Sequence, residues 1–349
     1  MPETGRHIAL VIPGLCGPDA DPPVSAYLQP RPLALDQLVS RSRVQAAPGT
    51  DPDTLLCKLF GMDMAVDAGA PVAALSWLAD SGAAGDGFLL RADPVHLRPD
   101  QSRLLLFEAH SFELSQQEAN QLAAAFNELY ADRGWMLTAI RPQRWYLSVP
   151  QAPLVDTVSP ARVAGQDIDA CLPQGAAAVE WHAVLNEVQM LFHDHPVNAA
   201  REQRGAPVIN SLWFWGGGVL PAAVQGEFVQ VFTDQALGMG LAALAAVPRR
   251  DLPADAAELL AMLVPGVNLV ATDALQWPAQ YADVDHWLHG LQQLEQHWFA
   301  PLRAALRRGE LASLRIYPCN GRSYLTSRAL QRHFWRRRRP FEALCRDHV

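Results

Sequence analysis

The segment AAPGTDPDTLLCKLFGMD (residues 46–63) sets a hydroxyl, Thr50, between a Pro-Gly pair and Asp51, directly ahead of an apolar helix. A hydroxyl in that place meets unpaired backbone N–H groups and the positive end of the helix dipole. The setting suits a nucleophile that carries phosphate. The same residues also make an ordinary turn and helix start, because Asp51 or Asp53 can cap the helix and Gly61 can end it. On this segment alone both readings stay open.

Arginine supplies the other chemistry. In LLRADPVHLRPDQSR (89–103), Arg91, Asp93, His96, Arg98 and Arg103 surround one hairpin. Alternation along a strand puts Arg91 and Asp93 on one face, as an anion clamp or as a surface ion pair worth little. Arg141 and Arg144 flank a second hairpin. In VNAAREQRGAPVINSLWFWGGG (197–218), Asn198, Arg201 and Arg204 precede a buried strand that ends in Gly216, Gly217 and Gly218. Ligands of open α/β sheets sit at the carboxyl ends of strands, where glycine lets an anion approach the backbone. A tight turn with solvated arginines is the other reading. Metal sites have weaker claims. His193, Asp194 and His195 are neighbours, about 100° apart on a helix, and cannot all face one ion. His286 and His289, with Asp285 or Glu295, also read as an ordinary amphipathic helix. The run Arg336 to Arg339 could attract RNA, an acidic partner or a lipid headgroup, or be a solvated face.

The elements that must position these groups follow from pattern. HIALVI (7–12) is a continuous apolar run ending in Pro-Gly, a buried strand entering a loop. Short helices are expected in PLALDQLVSR, DPDTLLCKLFG and APVAALSWLAD. Residues 85–150 read β-β-α-β-β. Their helix carries a capping box, Ser115 with Glu118, and an apolar face of Leu122, Ala123, Phe126 and Leu129. After a Pro-rich connection comes a long helix with a stripe of Val184, Leu185, Val188, Leu191 and Phe192. Then PVINSLWFW, EFVQVFT, GVNLVAT and LRIYP alternate with helices, which implies a mostly parallel sheet with helices on both faces. The expected organisation is a discontinuous α/β core from 1–80 and 175–335, an inserted α+β domain over 81–174, and a basic tail over 336–349.

The chain has 349 residues and is half apolar, enough for a sizeable core. Its net charge of −8 argues against a general nucleic-acid binder. Lys58 is its only lysine. The cysteines at 16, 57, 171, 319 and 345 are odd in number and widely spaced, which predicts reduced thiols in a cytoplasmic protein. The N-terminus does not read as a signal peptide. No apolar run reaches about 18 residues, so no membrane span is expected.

Taken in order, these segments resemble the archaeal-type cofactor-independent phosphoglycerate mutases of the alkaline phosphatase superfamily. PLALDQLVS followed by PGTDPDTLLCKLFGMD is similar to that family's nucleophile region, with Thr50 where the family has serine. AGAPVAALSWLADSGAAGDGFLLRADPVHL is similar to its passage from core to inserted domain, and DHPVNAAREQRGAPVINSLWFWGGG to its helix end and following strand. The chain also resembles a narrower bacterial group, the RpfE-type regulatory proteins. The resemblance implies an alkaline-phosphatase-like fold, a phosphoserine route and two divalent metals, such as manganese or zinc, held by clustered Asp and His.

At the positions matching those ligands this chain has other residues. The Asp of the first strand is Pro13. The Asp and His four apart are Gln276 and Gln280, and the adjacent Asp-His pair is Cys319 and Asn320. His333 is a loose match for a last histidine, and Asp273 a stand-in shifted by three residues. A metal pair carries four positive charges and needs carboxylates to offset its dehydration. The expectation is therefore a vestigial site with no metal and no cofactor, in a regulatory or phospho-ligand-binding protein. Arg91, Arg141, Arg144, Arg201 and Arg204 remain as anion-binding candidates, with a phosphorylated small molecule or a regulatory protein as partner. Two alternatives stand beside it. One is an active mutase or phosphatase that works through Thr50 with relocated ligands such as Asp273, His286 or His333. The other is an interaction module that uses the basic C-terminus.

Overall fold

The apolar run near the N-terminus forms β1 (Arg6–Val11), flanked on both sides by strands parallel to it. In this computed structural model the described residues are 5–18, 27–64, 69–100, 103–163, 167–332 and 340–341. His333 and Arg336 to Arg339 lie outside them. The chain forms two compact units, one of Met1–Met64 with Ala223–Val349 and one of Ala65–Ala222.

The first unit begins with β1, α1 (Leu33–Ser40), β2 (Arg43–Ala46) and α2 (Pro52–Leu59). The second unit runs α3 (Val72–Ser81), β3 (Phe88–Asp100), β4 (Arg103–Glu108), α4 (Gln116–Leu129), β5 (Met136–Arg141), β6 (Arg144–Val149), a single turn α5 (Pro160–Val163), α6 (Ala178–His193), α7 (Pro196–Gln203) and β7 (Ser211–Gly218). The chain then completes the first unit with β8 (Phe228–Phe232), α8 (Ala236–Leu244), β9 (Arg249–Arg250), α9 (Ala256–Met262), β10 (Gly266–Ala271), α10 (Gln276–Gln280), α11 (Val284–Leu294), α12 (Ala300–Arg308), β11 (Ser313–Tyr317), β12 (Arg322–Ser327) and α13 (Arg328–Gln331).

The first unit is a seven-stranded sheet in the order β2-β12-β11-β1-β10-β8-β9. Its centre is parallel, and β12 and β2 close one edge antiparallel. This is the α/β architecture the alternating pattern implied. One face of β1 carries Ile8 and Leu10, which pack in a core with Leu35 and Leu38 of α1, Leu259 of α9, Trp287 of α11 and Leu302 of α12. Asp51 is the capping residue of α2: its side chain accepts from the Thr54 amide at 2.9 Å. Glu295, weighed in sequence as a metal ligand, instead accepts from the Ala34 and Leu35 amides at the start of α1.

The second unit is larger than residues 81–174, and the strand expected in the core sheet explains the difference. β7, the SLWFW segment, pairs antiparallel with β3 rather than with the parallel sheet. Helix α6 follows it into this unit. Trp181, Val184, Leu185, Val188 and Phe192 pack with Leu90, Trp145 and Phe214. A run of apolar residues does not tell a strand which sheet to join. The capping box of α4 forms as expected, with both Ser115–Glu118 hydrogen bonds present. Leu129, expected on the apolar face of α4, is exposed. The next residue, Tyr130, is buried instead and lies against Phe126 with ring centroids 4.6 Å apart.

Cys16 is disulfide-bonded, which corrects the expectation of reduced cysteines throughout. Thiol titration of the denatured, unreduced chain is expected to count fewer than its five cysteines; a full count would contradict the bond. Among the described residues no helix is long and apolar enough to cross a membrane.

Candidate functional site

The parallel register aligns Val11 with both Ala271 and Tyr317, so the loops after β1, β10 and β11 emerge side by side at one edge of the sheet. This is the edge where open α/β sheets take ligands. Pro13, Cys319 and Asn320 lie in these loops, Gln276 and Gln280 in α10, which follows β10, and Thr50 in the turn that follows β2; His333, the loose match, lies outside the described residues.

Gly14, next to Pro13, has φ +77°, and its neighbour across the gap is the Leu275 carbonyl, into which an added Cβ would collide. The Gly14 carbonyl accepts from Trp287 Nε1 at 2.8 Å. So the Pro13 turn lies against the start of α10, which carries Gln276 and Gln280. Gly14→Ala should cost at least about 1–2 kcal/mol from the left-handed backbone alone, and more from the clash, read as a lower denaturant midpoint.

On the other side of β1, Asn320 Nδ2 lies 3.5 Å from Cys16 Sγ. The Ala47 amide donates to the Gly321 carbonyl at 2.8 Å. A Cβ added to Gly321 would come within 3.4 Å of the Thr50 methyl. Thr50 itself is exposed. Cys319 has φ +64°, a conformation non-glycine residues seldom adopt. Burial, then the Asp51 and Asp53 carboxylates, push its thiol far above the ordinary range. The same causes, with Asp53 ahead of Asp51, hold the Cys57 thiol of α2 up at about 12. Desolvation, then Asp234, raises Asp273. The structure thus brings Pro13, Thr50, Gln276, Gln280, Cys319 and Asn320 to one edge.

This donor set does not fit a pair of divalent ions. Proline has no side-chain donor, Gln276, Gln280 and Asn320 are neutral amides, and Cys319 offers a single thiol. Gln280 Oε1 is buried without a hydrogen-bond partner, yet one neutral oxygen does not offset the dehydration of a dication. Among the described residues no group of three or more His, Cys, Asp or Glu is placed to hold a metal. His286 is tied to Asp283 at 2.7 Å on an exposed surface. His195 caps α7, its Nδ1 facing the Val197 amide at 3.2 Å.

The arginines expected to bind an anion all belong to the second unit, where carboxylates of that unit already engage them. Arg91 and Asp93 do share a face, but as a buried bidentate pair: Arg91 Nη2 reaches Oδ1 at 2.7 Å and Oδ2 at 2.8 Å. Trp215 Nε1 donates to the same carboxylate at 2.7 Å. The guanidinium lies over the rings of Tyr146 and Trp215. The surface pair read from sequence is therefore a core pair. Arg144 grips Asp80 through Nε and Nη2, at 2.8 and 2.7 Å, and Arg141 lies 3.6 Å from the same carboxylate.

Arg201, expected to be available at a strand end, is fully buried. Its three nitrogens donate to the Pro207 carbonyl, to Glu118 and to the Glu113 carbonyl. Arg204 joins Glu118 from outside. Asn198 is a structural clip: Nδ2 donates to the Phe192 and Ile209 carbonyls and Oδ1 accepts from the Ile209 amide. His96 Nδ1 meets the Val208 carbonyl at 2.9 Å. Gly216 has φ +61° and presses on Val72. An anion clamp built from these arginines would first have to displace their own carboxylates.

Glu118 records the strength of its pairing. Desolvation would raise it, but the Ser115 amide and hydroxyl and the two arginines hold it down to about 2. A carboxyl depressed in the folded state stabilises the fold above its unfolded value and loses that contribution as pH falls. Stability should therefore drop between about pH 4.5 and 2. Acid titration of Glu118→Gln should lack this component of the drop; an unchanged profile would contradict the assignment.

No family model matches the chain. The chain is 26% identical over 206 residues, 54% of its length, to a probable 2,3-bisphosphoglycerate-independent phosphoglycerate mutase of Geobacter sulfurreducens, of which that covers 49%. It is 24% identical over 201 residues, 55% of its length, to the 2,3-bisphosphoglycerate-independent phosphoglycerate mutase of Methanosarcina mazei, again covering 49%. The chain thus spans about half the length of these curated relatives. Among solved structures, a protein of Pyrococcus horikoshii superposes with a TM-score of 0.51 at 14% identity, covering 93% of this chain and 87% of that one. A cofactor-independent phosphoglycerate mutase of Thermoplasma acidophilum gives 0.40 at 18% identity, covering 92% and 90%. In sequence the chain is similar to 2,3-bisphosphoglycerate-independent phosphoglycerate mutases over about half its length, and it shares the α/β fold of the Pyrococcus horikoshii protein.

Proposed function

We propose that this chain is a catalytically degenerate relative of the phosphoglycerate mutases, acting as a regulatory protein of the RpfE type rather than as an enzyme. The observation that carries the reading is the donor set at the sheet edge. Where paired cations would need carboxylate and imidazole, the chain has Pro13, Gln276, Gln280, Cys319 and Asn320. Thr50 has the position of a nucleophile, but the carboxylate beside it, Asp51, is engaged as the cap of α2, and an alcohol without base or metal does not become an alkoxide at neutral pH. Its remaining chemistry is that of a helix start capped by Asp51. A cytoplasmic location belongs to the same reading; the Cys16 disulfide weighs against it.

The expected result is no interconversion of 3- and 2-phosphoglycerate and no phosphatase turnover with added manganese or zinc. Robust turnover that disappears in Thr50→Ala would overturn the reading. One observation favours a second reading, a relocated metal site: Asp273 and Asp234 sit close enough to raise the Asp273 carboxyl, at the same edge. That reading predicts metal bound through Asp273 and lost in Asp273→Asn.

A further inference from the structure

At the opposite edge of the same sheet lies a cavity of about 480 Å³, walled by Arg41, Arg303, Arg307, Arg328, Arg332 and Gln331. Its place follows from register. β12 runs antiparallel to β11, pairing Ser327 with Ser313, the first residue of β11. Arg328 follows directly on Ser327, and Arg307 lies in the last turn of α12, just before β11 begins. Thr50 and Cys319 lie beyond the other end of these strands, about 13 Å away along β11. The two edges are therefore separate sites.

Five guanidinium groups and, among the described residues, no carboxylate line this cavity. Across a space of this size the charges lie within about a Debye length, roughly 8 Å at physiological salt, so they repel one another. Helix ends explain part of the cluster. Arg41 follows the C-terminus of α1 and donates to the Gln331 carbonyl at 2.9 Å, and Arg307 is in the last turn of α12, where cations are favoured. They do not explain Arg328, which lies in the single turn of α13. Nor do ion pairs: Arg308, beside Arg307, pairs with Glu310, but among the described residues Arg41, Arg307, Arg328 and Arg332 have no carboxylate partner.

A second feature points to a ligand. Gln331 is buried, 5% exposed. Its Nε2 donates to Thr326 Oγ1 at 2.8 Å and to the Gln37 carbonyl at 3.4 Å. Its Oε1 is buried and accepts from nothing among the described residues. Gln331 lines the same cavity, so one side chain among the donors has an acceptor to spare. A bare tetrahedral anion satisfies the arginines but not this oxygen. A molecule carrying both a phosphate and a hydroxyl satisfies both.

We propose that this cavity binds a soluble organic phosphate with a free hydroxyl group, of the size of a glycerol or sugar phosphate. The arginines take the phosphate through charge-assisted hydrogen bonds, and Gln331 Oε1 accepts from the hydroxyl. The site does not depend on the state of the Thr50 edge.

The test is calorimetric titration of the full-length protein at low salt with two probes, glycerol 3-phosphate and inorganic sulfate. Sulfate has the charge but no proton to donate at neutral pH. Saturable binding of glycerol 3-phosphate is expected. It should weaken at least about tenfold in the exposed double variant Arg307→Ala/Arg328→Ala and stay unchanged in Thr50→Ala. Gln331→Met should weaken glycerol 3-phosphate while leaving sulfate as it was. No saturable binding, binding that ignores the arginine substitutions, or binding only to phosphatidylglycerol vesicles would each overturn the proposal. None of these outcomes bears on mutase turnover, so this site and the proposed function fail separately.

Discussion

Asp80→Ala is expected to destabilise the protein by about 3 kcal/mol, the low end of the range for removing one member of a buried ion pair. The Asp80 side chain is fully buried, and three groups depend on it. Arg144 holds both of its oxygens, Tyr146 donates to it at 2.7 Å, and Arg141 approaches from the exposed side. Although burial alone would raise it, the hydrogen bonds from Arg144 and Tyr146 keep the carboxyl below its usual range. Truncation leaves the Tyr146 hydroxyl and part of a guanidinium without a partner. Arg144 is 30% exposed, so water recovers some of the loss, which sets the effect at the low end. Urea unfolding measures it, and a change below about 1 kcal/mol would mean that the pair is worth no more than a surface contact.

Trp181→Ala should cost about 3–5 kcal/mol, the range for deleting a buried large aromatic side chain. Trp181 is 1% exposed at the start of α6. It stacks on Trp135 with centroids 5.3 Å apart and meets Phe214 edge-on at 5.0 Å. Through Trp135 the stack continues to Tyr130, which donates to Glu187 of α6 at 2.6 Å. The cavity left behind lies between α6 and β7, the strand that pairs with β3. Thermal unfolding followed by tryptophan fluorescence should show both the lower midpoint and the loss of this ring. A near-wild-type midpoint would contradict the placement of α6 in that core.

Much of the scaffold was legible because its signals are local. The apolar run at 7–12, the Ser115–Glu118 box and the Asp51 cap each act within a few residues, and each forms as read. The sheet that β7 joins was not legible, since SLWFW is equally apolar for either partner and only long-range pairing decides. The arginine roles failed for a related reason. Arg91, Arg144 and Arg201 look like free cations in sequence because Asp80 and Glu118 are distant along the chain; Asp93 was in view, but its burial was not. The same blindness hid the cavity at Arg328 and Gln331, whose walls come from three separate stretches. The disulfide at Cys16 had no signal in spacing.

Pro13, Gln276, Gln280, Cys319 and Asn320 follow the carboxyl ends of β1, β10 and β11. The central claim is that this edge has too little anionic character for paired dications. It is tested most directly by equilibrating the full-length protein with manganese and zinc, dialysing away the loosely held metal, and measuring what remains by elemental analysis. The account predicts less than one ion per chain. A pair of ions retained per chain, and lost in Thr50→Ala or Asp273→Asn, would contradict it.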